Sequence, residues 1–140
     1  IMQRLEHWKA SVGIIRDYWL TGVGTGDMNL AFKVQYEKMH TKLAPEQRWR
    51  SHNQFLSIFI GFGLFGFLWF VLAVFYPPAL LRRYDDYFFL VFLIIAVASM
   101  MAGDTIESQT GVSFFAVFYV LFLFARKEKA PIMLNHLKQE

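Results

Sequence analysis

The longest uncharged segment of the chain limits its fold most strongly. Residues 53–81 contain no Asp, Glu, Lys or Arg over 29 positions, and the segment begins directly after a polar, basic region that ends at His52. A helix that crosses the hydrocarbon core of a bilayer needs roughly 20 mostly apolar residues. Two shorter uncharged segments follow at 87–103 and 108–125, and 56% of all residues are hydrophobic. The chain is therefore predicted to be an integral membrane protein, because this composition is too apolar for an ordinary soluble domain.

The predicted fold is all-α, a polytopic helical membrane protein with three transmembrane helices. The second and third helices are short, and tyrosines at head-group level, Tyr84, Tyr87 and Tyr119, extend their effective length. We expect the chain to be the C-terminal part of a longer protein, because its first residues have the character of an extramembrane region rather than of a natural start. The predicted divisions are a loop region at 1–53, transmembrane helices at 54–77, 86–103 and 110–125, and a tail at 126–140.

Basic residues outside the spans predict the orientation of the chain. The loop after the first span carries Arg82 and Arg83, the tail carries further Lys and Arg residues, and the loop at 104–111 carries none. Because Lys and Arg are enriched in cytoplasmic loops, the tail is predicted to be cytoplasmic and residues 1–53 periplasmic or extracellular. The region 1–53 nevertheless holds eight Lys and Arg residues, whose charge is then available to a ligand.

Two helices are predicted within residues 1–53. The first is amphipathic, so we expect it to lie against the membrane or against another part of the protein. Its apolar residues recur at helical spacing and are Leu5, Trp8, Val12, Ile15 and Trp19. A second helix is predicted from an N-cap at Asp27 to about residue 40, and Asn53 is the predicted N-cap of the first span.

Three glycines, Gly22, Gly24 and Gly26, separate the two predicted helices and permit positive φ and close backbone approach. Glycine-rich loops can also cradle phosphate. A dinucleotide site is excluded here, because no strand precedes the turn, the spacing is not Gly-x-Gly-x-x-Gly, and the next helix begins at the acidic Asp27. The turn is predicted to be structural, with a backbone role at a substrate as the alternative.

The sequence gives no signal for a metal, a cofactor or a nucleic acid. There is no cysteine, and no His or carboxylate cluster has metal-ligand spacing. Asp85 and Asp86 are adjacent, whereas a metal-bound nucleotide sugar needs an Asp-x-Asp pair, and both are predicted to be cytoplasmic. The net charge of +3 is mild. We therefore expect no metal, no cofactor and no nucleic-acid partner.

Basic residues lie around His52 at the predicted membrane surface. Arg48 and Arg50 precede it, and Arg4 lies on the same side of the membrane. Arginine binds phosphate oxygens in a bidentate manner, and neutral histidine can take a proton from a hydroxyl group. Metal-free transfer of a sugar from a lipid diphosphate needs these groups and little else, with His52 as the base, although the residues alone favour a structural role. The structural alternative is that the arginines anchor the chain at the interface and that His52 only begins a helix.

Several of these features occur in the order and spacing of a known family. The sequence contains, in order, Arg4-x-x-x-Trp8, the turn Gly22-Val23-Gly24-Thr25-Gly26, a stretch around Tyr36, His52-Asn53-x-x-Leu56, and Gly61, Gly63 and Gly66 in a hydrophobic helix. This pattern resembles the large periplasmic loop and the following helices of the O-antigen ligase and polymerase family.

The resemblance implies a membrane-embedded glycosyltransferase of the GT-C type in the bacterial inner membrane. It would act at the periplasmic face on a glycan carried by undecaprenyl diphosphate, surrounded by membrane lipid. The ligase moves the glycan to lipid A core, whereas the polymerase joins it to a second carrier-linked glycan. The family also supplies an arginine from an earlier loop that has no counterpart here, so the chain alone is expected to be inactive.

Residue by residue, the resemblance implies that Arg4 binds the diphosphate and that His52 is the essential histidine of the loop. It further implies that the turn at Gly22, Gly24 and Gly26 shapes the loop at the substrate. Proximity to His52 adds two more predicted substrate-binding residues, Arg48 and Arg50.

Two other function classes remain as alternatives. A solute transporter is compatible with the hydropathy, but transport generally places ionisable residues within the spans, and the three predicted spans have none. A scaffold for partner subunits is compatible with Gly61, Gly63 and Gly66, which allow close helix contact.

In the loop at 104–111, Asp104 and its neighbours Glu107 and Gln109 are candidates for acceptor contacts, with a solvated loop as the favoured interpretation.

Overall fold

A computed structural model describes residues 2–124, and over these residues the chain is all-α. The predicted tail at 126–140 and the last residue of the third predicted span lie outside the described residues. Two short 3-10 helices occur at Pro45–Gln47 and Arg83–Asp85. The five α-helices are α1 (Met2–Asp17), α2 (Met28–Lys38), α3 (Gln54–Leu80), α4 (Tyr87–Ala102) and α5 (Gln109–Phe124).

Helices α1 and α2 pack against each other and against the first turns of α3. The buried residues of this cluster include Ile14 of α1, Phe32 and Tyr36 of α2, and Ile60 of α3. Full burial of an apolar side chain of this size stabilises a fold by about 1.5–3 kcal/mol. The loop region before α3 is therefore a folded layer fixed to the start of that helix.

The inward face of α1 is different from the apolar stripe of its sequence. His7, Ala10, Ser11 and Ile14 are buried. Four of the five stripe residues are exposed, with Val12 at 59% exposure, and Ile15 is partly buried against the core. Because Ala10 and Ser11 have small side chains, α1 can approach its neighbouring helices closely. The exposed stripe agrees with an amphipathic helix, and its contact with membrane or with another part of the protein stays a prediction.

Helix α3 begins at the predicted N-cap. The Asn53 side chain accepts hydrogen bonds from the amides of Phe55 and Leu56 at 3.0 and 3.2 Å, which confirms this prediction. With 27 residues, α3 is the one helix in the described part of the chain that is long and apolar enough to cross a membrane. Helices α4 and α5 have 16 residues each, which corresponds to a rise of roughly 24 Å. Because a hydrocarbon core is about 30 Å thick, the second and third spans stay predictions.

An interruption within α3 lies at Gly63, whose φ of 64° and ψ of −163° are not helical. The amide of the next residue, Leu64, donates instead to the carbonyl of Trp19 at 2.9 Å. A Cβ atom on Gly63 would overlap the backbone of Leu20. Non-helical backbone at membrane depth needs protein partners for its polar groups, and the residues after α1 supply one here.

The glycine turn supplies the other partners of the α3 interruption. Val23 donates its amide to the carbonyl of Ile60 at 2.8 Å, and Gly24 donates to Gly61 at 3.0 Å. Gly22 and Gly24 have φ values of 70° and 81°, which favour glycine. The break in α3 was not predicted. It explains why glycines occur both in the turn and in the helix.

Helices α4 and α5 pack on the second half of α3, where two prolines interrupt its hydrogen bonding. Pro77 and Pro78 have no amide proton, so the carbonyls four residues earlier, Ala73 and Val74, lose their helical donors. The hydroxyl of Tyr119 on α5 lies 3.3 and 2.8 Å from these two oxygens. This hydroxyl has one proton and donates to one carbonyl at a time, so Tyr119 replaces part of the missing hydrogen bonding of α3, which continues to Leu80.

Candidate active site

His52 lies one residue before the N-cap of α3 and half of its side chain is exposed. Its φ of 47° is left-handed, a conformation that costs a non-glycine residue of order 1–3 kcal/mol and that is concentrated at functional sites. The Nδ1 atom of the ring lies 3.4 Å from Oδ2 of Asp104, in the loop between α4 and α5. The imidazole is therefore accessible and faces a carboxylate.

Two hydrogen bonds to α3 hold Asp104 and its loop in place. Its second oxygen, Oδ1, accepts a hydrogen bond from the Ser57 hydroxyl of α3 at 3.1 Å. The Asp104 loop is also bound to α3 through the amide of Ile106, which donates to Oε1 of Gln54 at 2.9 Å. A carboxylate beside Nδ1 favours the tautomer that carries its proton there, which leaves Nε2 of His52 as the basic nitrogen.

A cavity of about 530 Å³ opens at His52, a volume within the usual range for small-molecule sites. Its wall combines residues of α2, of the segment before α3, and of the α4–α5 loop. The lining residues are Asn29, Phe32, Lys33, Tyr36, Pro45, Arg48, Trp49, Arg50, His52 and Asp104. The structure thus brings together three of the predicted site residues.

Three of the lining residues are cations, Lys33, Arg48 and Arg50, against one carboxylate. The guanidinium of Arg50 is oriented by Asn29, whose Oδ1 accepts from Nε at 3.0 Å, and by Glu107, whose Oε2 lies 3.2 Å from Nη1. Arg48 donates to a backbone carbonyl of its own loop at 3.2 Å. Hydrogen bonds thus hold Arg48 and Arg50 near His52, and their positive charge favours the binding of an anionic ligand. The planar guanidinium group matches the geometry of phosphate oxygens.

Arg4 is not among the residues that line the cavity. Its Nη2 donates to the carbonyl of Ala102 at the end of α4, at 2.6 Å, and the Asn53 side chain donates to the neighbouring carbonyl of Met101 at 3.2 Å. Cationic donors at a helix C-terminus satisfy its last carbonyls and its dipole. A guanidinium has five N–H donors, so this contact is compatible with an additional oxyanion.

Two buried rings, those of Tyr36 and His7, contact the backbone of the segment before His52. The hydroxyl of Tyr36 donates to the carbonyl of Trp49 at 2.7 Å, and burial, with a smaller contribution from Glu6, raises the pKa of Tyr36 to about 12. Tyr36 therefore stays a neutral donor at physiological pH. His7 lies 3.0 Å, through Nε2, from the carbonyl oxygen of Gln47.

The three glycines of the turn do not line this cavity. Gly22 lies against the backbone of α3, and a Cβ atom there would approach Gly61 to 2.7 Å. A Cβ atom on Gly24 or Gly26 would meet nothing within 4 Å. The structure therefore gives the turn a packing role at the α3 interruption, and a substrate role for it stays a prediction.

A sequence model of a protein family, described as O-antigen ligase, matches residues 1–71. The chain belongs to the O-antigen ligase family. This confirms the resemblance seen in the sequence. No curated protein and no solved structure matches the chain. O-antigen ligases are embedded in membranes and use lipid-linked glycans, and α3 has the length and composition of a membrane-spanning helix.

The family match covers Arg4, the glycine turn and His52, but it ends within α3. Asp104 and Glu107, which contact His52 and Arg50, lie beyond it. A solvated loop was the predicted environment of these carboxylates, and no role was predicted for His7. His7 could have been found from its position three residues after Arg4, on the same helical face. The contacts of Asp104 with His52 and of Glu107 with Arg50 span 52 and 57 residues, so no local sequence pattern predicts them.

Proposed function

We propose that this protein is a metal-independent glycosyltransferase that moves an O-antigen or similar glycan from an undecaprenyl diphosphate carrier to lipid A core. Its family membership supports lipid-linked glycans as the substrate class. The observation that carries the proposal is the contact of His52 with Asp104 at a cavity that Arg48 and Arg50 also line. A base and fixed cations are the groups that this reaction requires.

In the proposed reaction, Nε2 of His52 accepts the proton of an acceptor hydroxyl. The oxygen of that hydroxyl attacks the anomeric carbon from the face opposite the diphosphate, and the bond from this carbon to the diphosphate oxygen breaks. The diphosphate leaves with the electron pair, so the configuration at the anomeric carbon is inverted. Asp104 stabilises the imidazolium, and Arg4, Arg48 and Arg50 stabilise the charge that develops on the leaving group.

The proposed topology follows from the same arrangement. A GT-C-like protein of the bacterial inner membrane with spans at α3, α4 and α5 places the start of α3, the end of α4 and the start of α5 at one surface. His52 and Asp104 belong to that surface. The basic loop at Arg82 and Arg83 belongs to the other, so we assign the site to the periplasmic face.

Complementation tests the proposal. The gene is deleted in its host and replaced by the complete wild-type gene or by His52→Ala at matched protein level, and lipopolysaccharide is separated on a gel. We expect long glycan ladders to return with the wild type alone. Accumulation of carrier-linked polymer in the variant identifies a ligase, whereas single carrier-linked units identify the polymerase. Full complementation by His52→Ala contradicts the proposal, and an unchanged ladder in the deletion strain favours transport.

A further inference from the structure

His7 is a buried histidine with one uncompensated nitrogen. The residue is 5% exposed, and its Nε2 lies 3.0 Å from the carbonyl oxygen of Gln47. Because a carbonyl can only accept, this contact assigns the proton of the neutral ring to Nε2 and leaves Nδ1 as an acceptor. Nδ1 is the one buried side-chain nitrogen or oxygen without a hydrogen-bond partner among the described residues. An unsatisfied buried polar atom costs about 1–3 kcal/mol, so its retention calls for a role.

The position of His7 indicates that role. Its ring centroid lies 6.4 Å from that of Tyr36 and 6.4 Å from that of His52, at interplanar angles of 78° and 61°. Tyr36 is held by the carbonyl of Trp49, and His7 by the carbonyl of Gln47. The two buried rings therefore lie against the segment that leads to His52, and the His7 ring also lies beside the His52 ring.

We propose that His7 is a positioning residue for His52, and that the unpaired Nδ1 of the neutral His7 ring stabilises electrostatically the protonated imidazole that His52 becomes during transfer. Asp104 holds Nδ1 of His52, and His7 adds a second stabilising contribution to the charged ring. No proton is exchanged with His7. The inference rests on the proposed function, because it assigns a partner to the base of that reaction.

The ionisable groups around this histidine pair come from four parts of the chain. They are Glu6 on α1, Lys33 and Tyr36 on α2, Arg48 and Arg50 in the segment before α3, and Asp104 in the α4–α5 loop. Hydrogen bonding from Lys9 lowers the pKa of Glu6, and burial raises that of Tyr36. Neither group therefore changes charge near neutral pH, where a histidine base titrates.

Two amide substitutions separate the functions of the two nitrogens of His7. In His7→Gln the amide nitrogen replaces Nε2 and retains the donor to Gln47, but the acceptor at Nδ1 is lost. In His7→Asn the amide oxygen replaces Nδ1 and retains the acceptor, but the contact with Gln47 is lost. The complete protein is purified in lipid nanodiscs, and transfer is measured between pH 5 and 9 with undecaprenyl diphosphate-linked glycan and lipid A core extracted from the deletion strain.

We expect His7→Gln to lower kcat about tenfold, a usual effect for a group that orients another, with KM unchanged. The acid limb of its pH–rate profile moves to lower pH, because the protonated form of His52 has lost a partner. His7→Asn retains the wild-type profile. A wild-type rate and profile in His7→Gln overturn the inference, as does a rate loss in His7→Asn alone, since either result leaves only a packing role.

His52→Ala in the same assay separates this inference from the proposed function. If His52→Ala is inactive and His7→Gln is normal, only the role of His7 is wrong. If His52→Ala is as active as the wild type, the proposed function itself is wrong.

Discussion

Substitution of Gly22 by alanine is expected to release the loop region from α3. Gly22 has a φ of 70°, and a left-handed conformation costs an alanine about 1–2 kcal/mol. Its Cβ atom would lie 2.6 Å from the amide nitrogen of Gly63 and 2.7 Å from the carbonyl oxygen of Gly61. Both are backbone atoms, so the turn has to move away from α3. This movement breaks the two hydrogen bonds from Val23 and Gly24 to α3, each worth about 0.5–1.5 kcal/mol.

The expected loss in free energy of unfolding for Gly22→Ala is thus about 2–5 kcal/mol. Two neighbours provide matched controls. Gly24→Ala has the positive φ without the overlap and loses only about 1–2 kcal/mol. Gly26→Ala has open space and no positive φ, so its effect is close to zero or slightly stabilising.

Thermal unfolding of the three variants in one detergent, followed by tryptophan fluorescence, measures this order. We expect the largest decrease in midpoint for Gly22→Ala and the smallest for Gly26→Ala, with the Gly24 variant between them. Equal midpoints for the Gly22 and Gly26 variants would refute the docking of the turn into the interruption of α3.

Three further predictions follow from single contacts. Asp104→Asn retains a side-chain acceptor for Ser57 but removes the charge beside His52, so glycan transfer falls about 10–100-fold at equal protein level; a rate within twofold of wild type contradicts this. Tyr119→Phe removes the donor to the carbonyls that the α3 prolines leave free and lowers stability by about 1 kcal/mol, which an unchanged unfolding midpoint would refute. Burial raises the pKa of Tyr36 from 10.0 to about 12, so the contribution of Tyr36 to stability is complete below pH 10 and is lost as the pH rises through 12. The unfolding midpoint of Tyr36→Phe is therefore expected to fall less over this pH range than that of the wild type. Equal decreases in midpoint for the two proteins would contradict the raised pKa.

The helices of this chain follow from local signals in its sequence. The uncharged segments coincide with α3, α4 and α5 because apolar helices of this length need no tertiary information to be recognised. Asn53 caps α3 as predicted, since N-capping depends on residues within one turn. Asp27 takes the N-cap position of α2 but forms no side-chain cap hydrogen bond.

Features that depend on contacts distant in sequence were not predicted. The α3 interruption at Gly63 requires the glycine turn some forty residues earlier, and a helical glycine by itself is equally compatible with close helix packing. The contact between His52 and Asp104 joins residues that are 52 positions apart in the sequence. The sequence therefore predicts His52 and the arginines as site residues, whereas the carboxylate that contacts His52 appears only in the fold.

The pH-independent rate of glycan transfer by purified wild-type protein and His52→Ala tests the central claim most directly. The complete protein in lipid nanodiscs receives carrier-linked glycan and lipid A core, and the released undecaprenyl diphosphate is measured. Loss of a general base lowers kcat by about 10²–10⁴-fold, while carrier binding is retained because Arg48 and Arg50 are unchanged. A His52→Ala protein that transfers glycan at the wild-type rate would contradict the account.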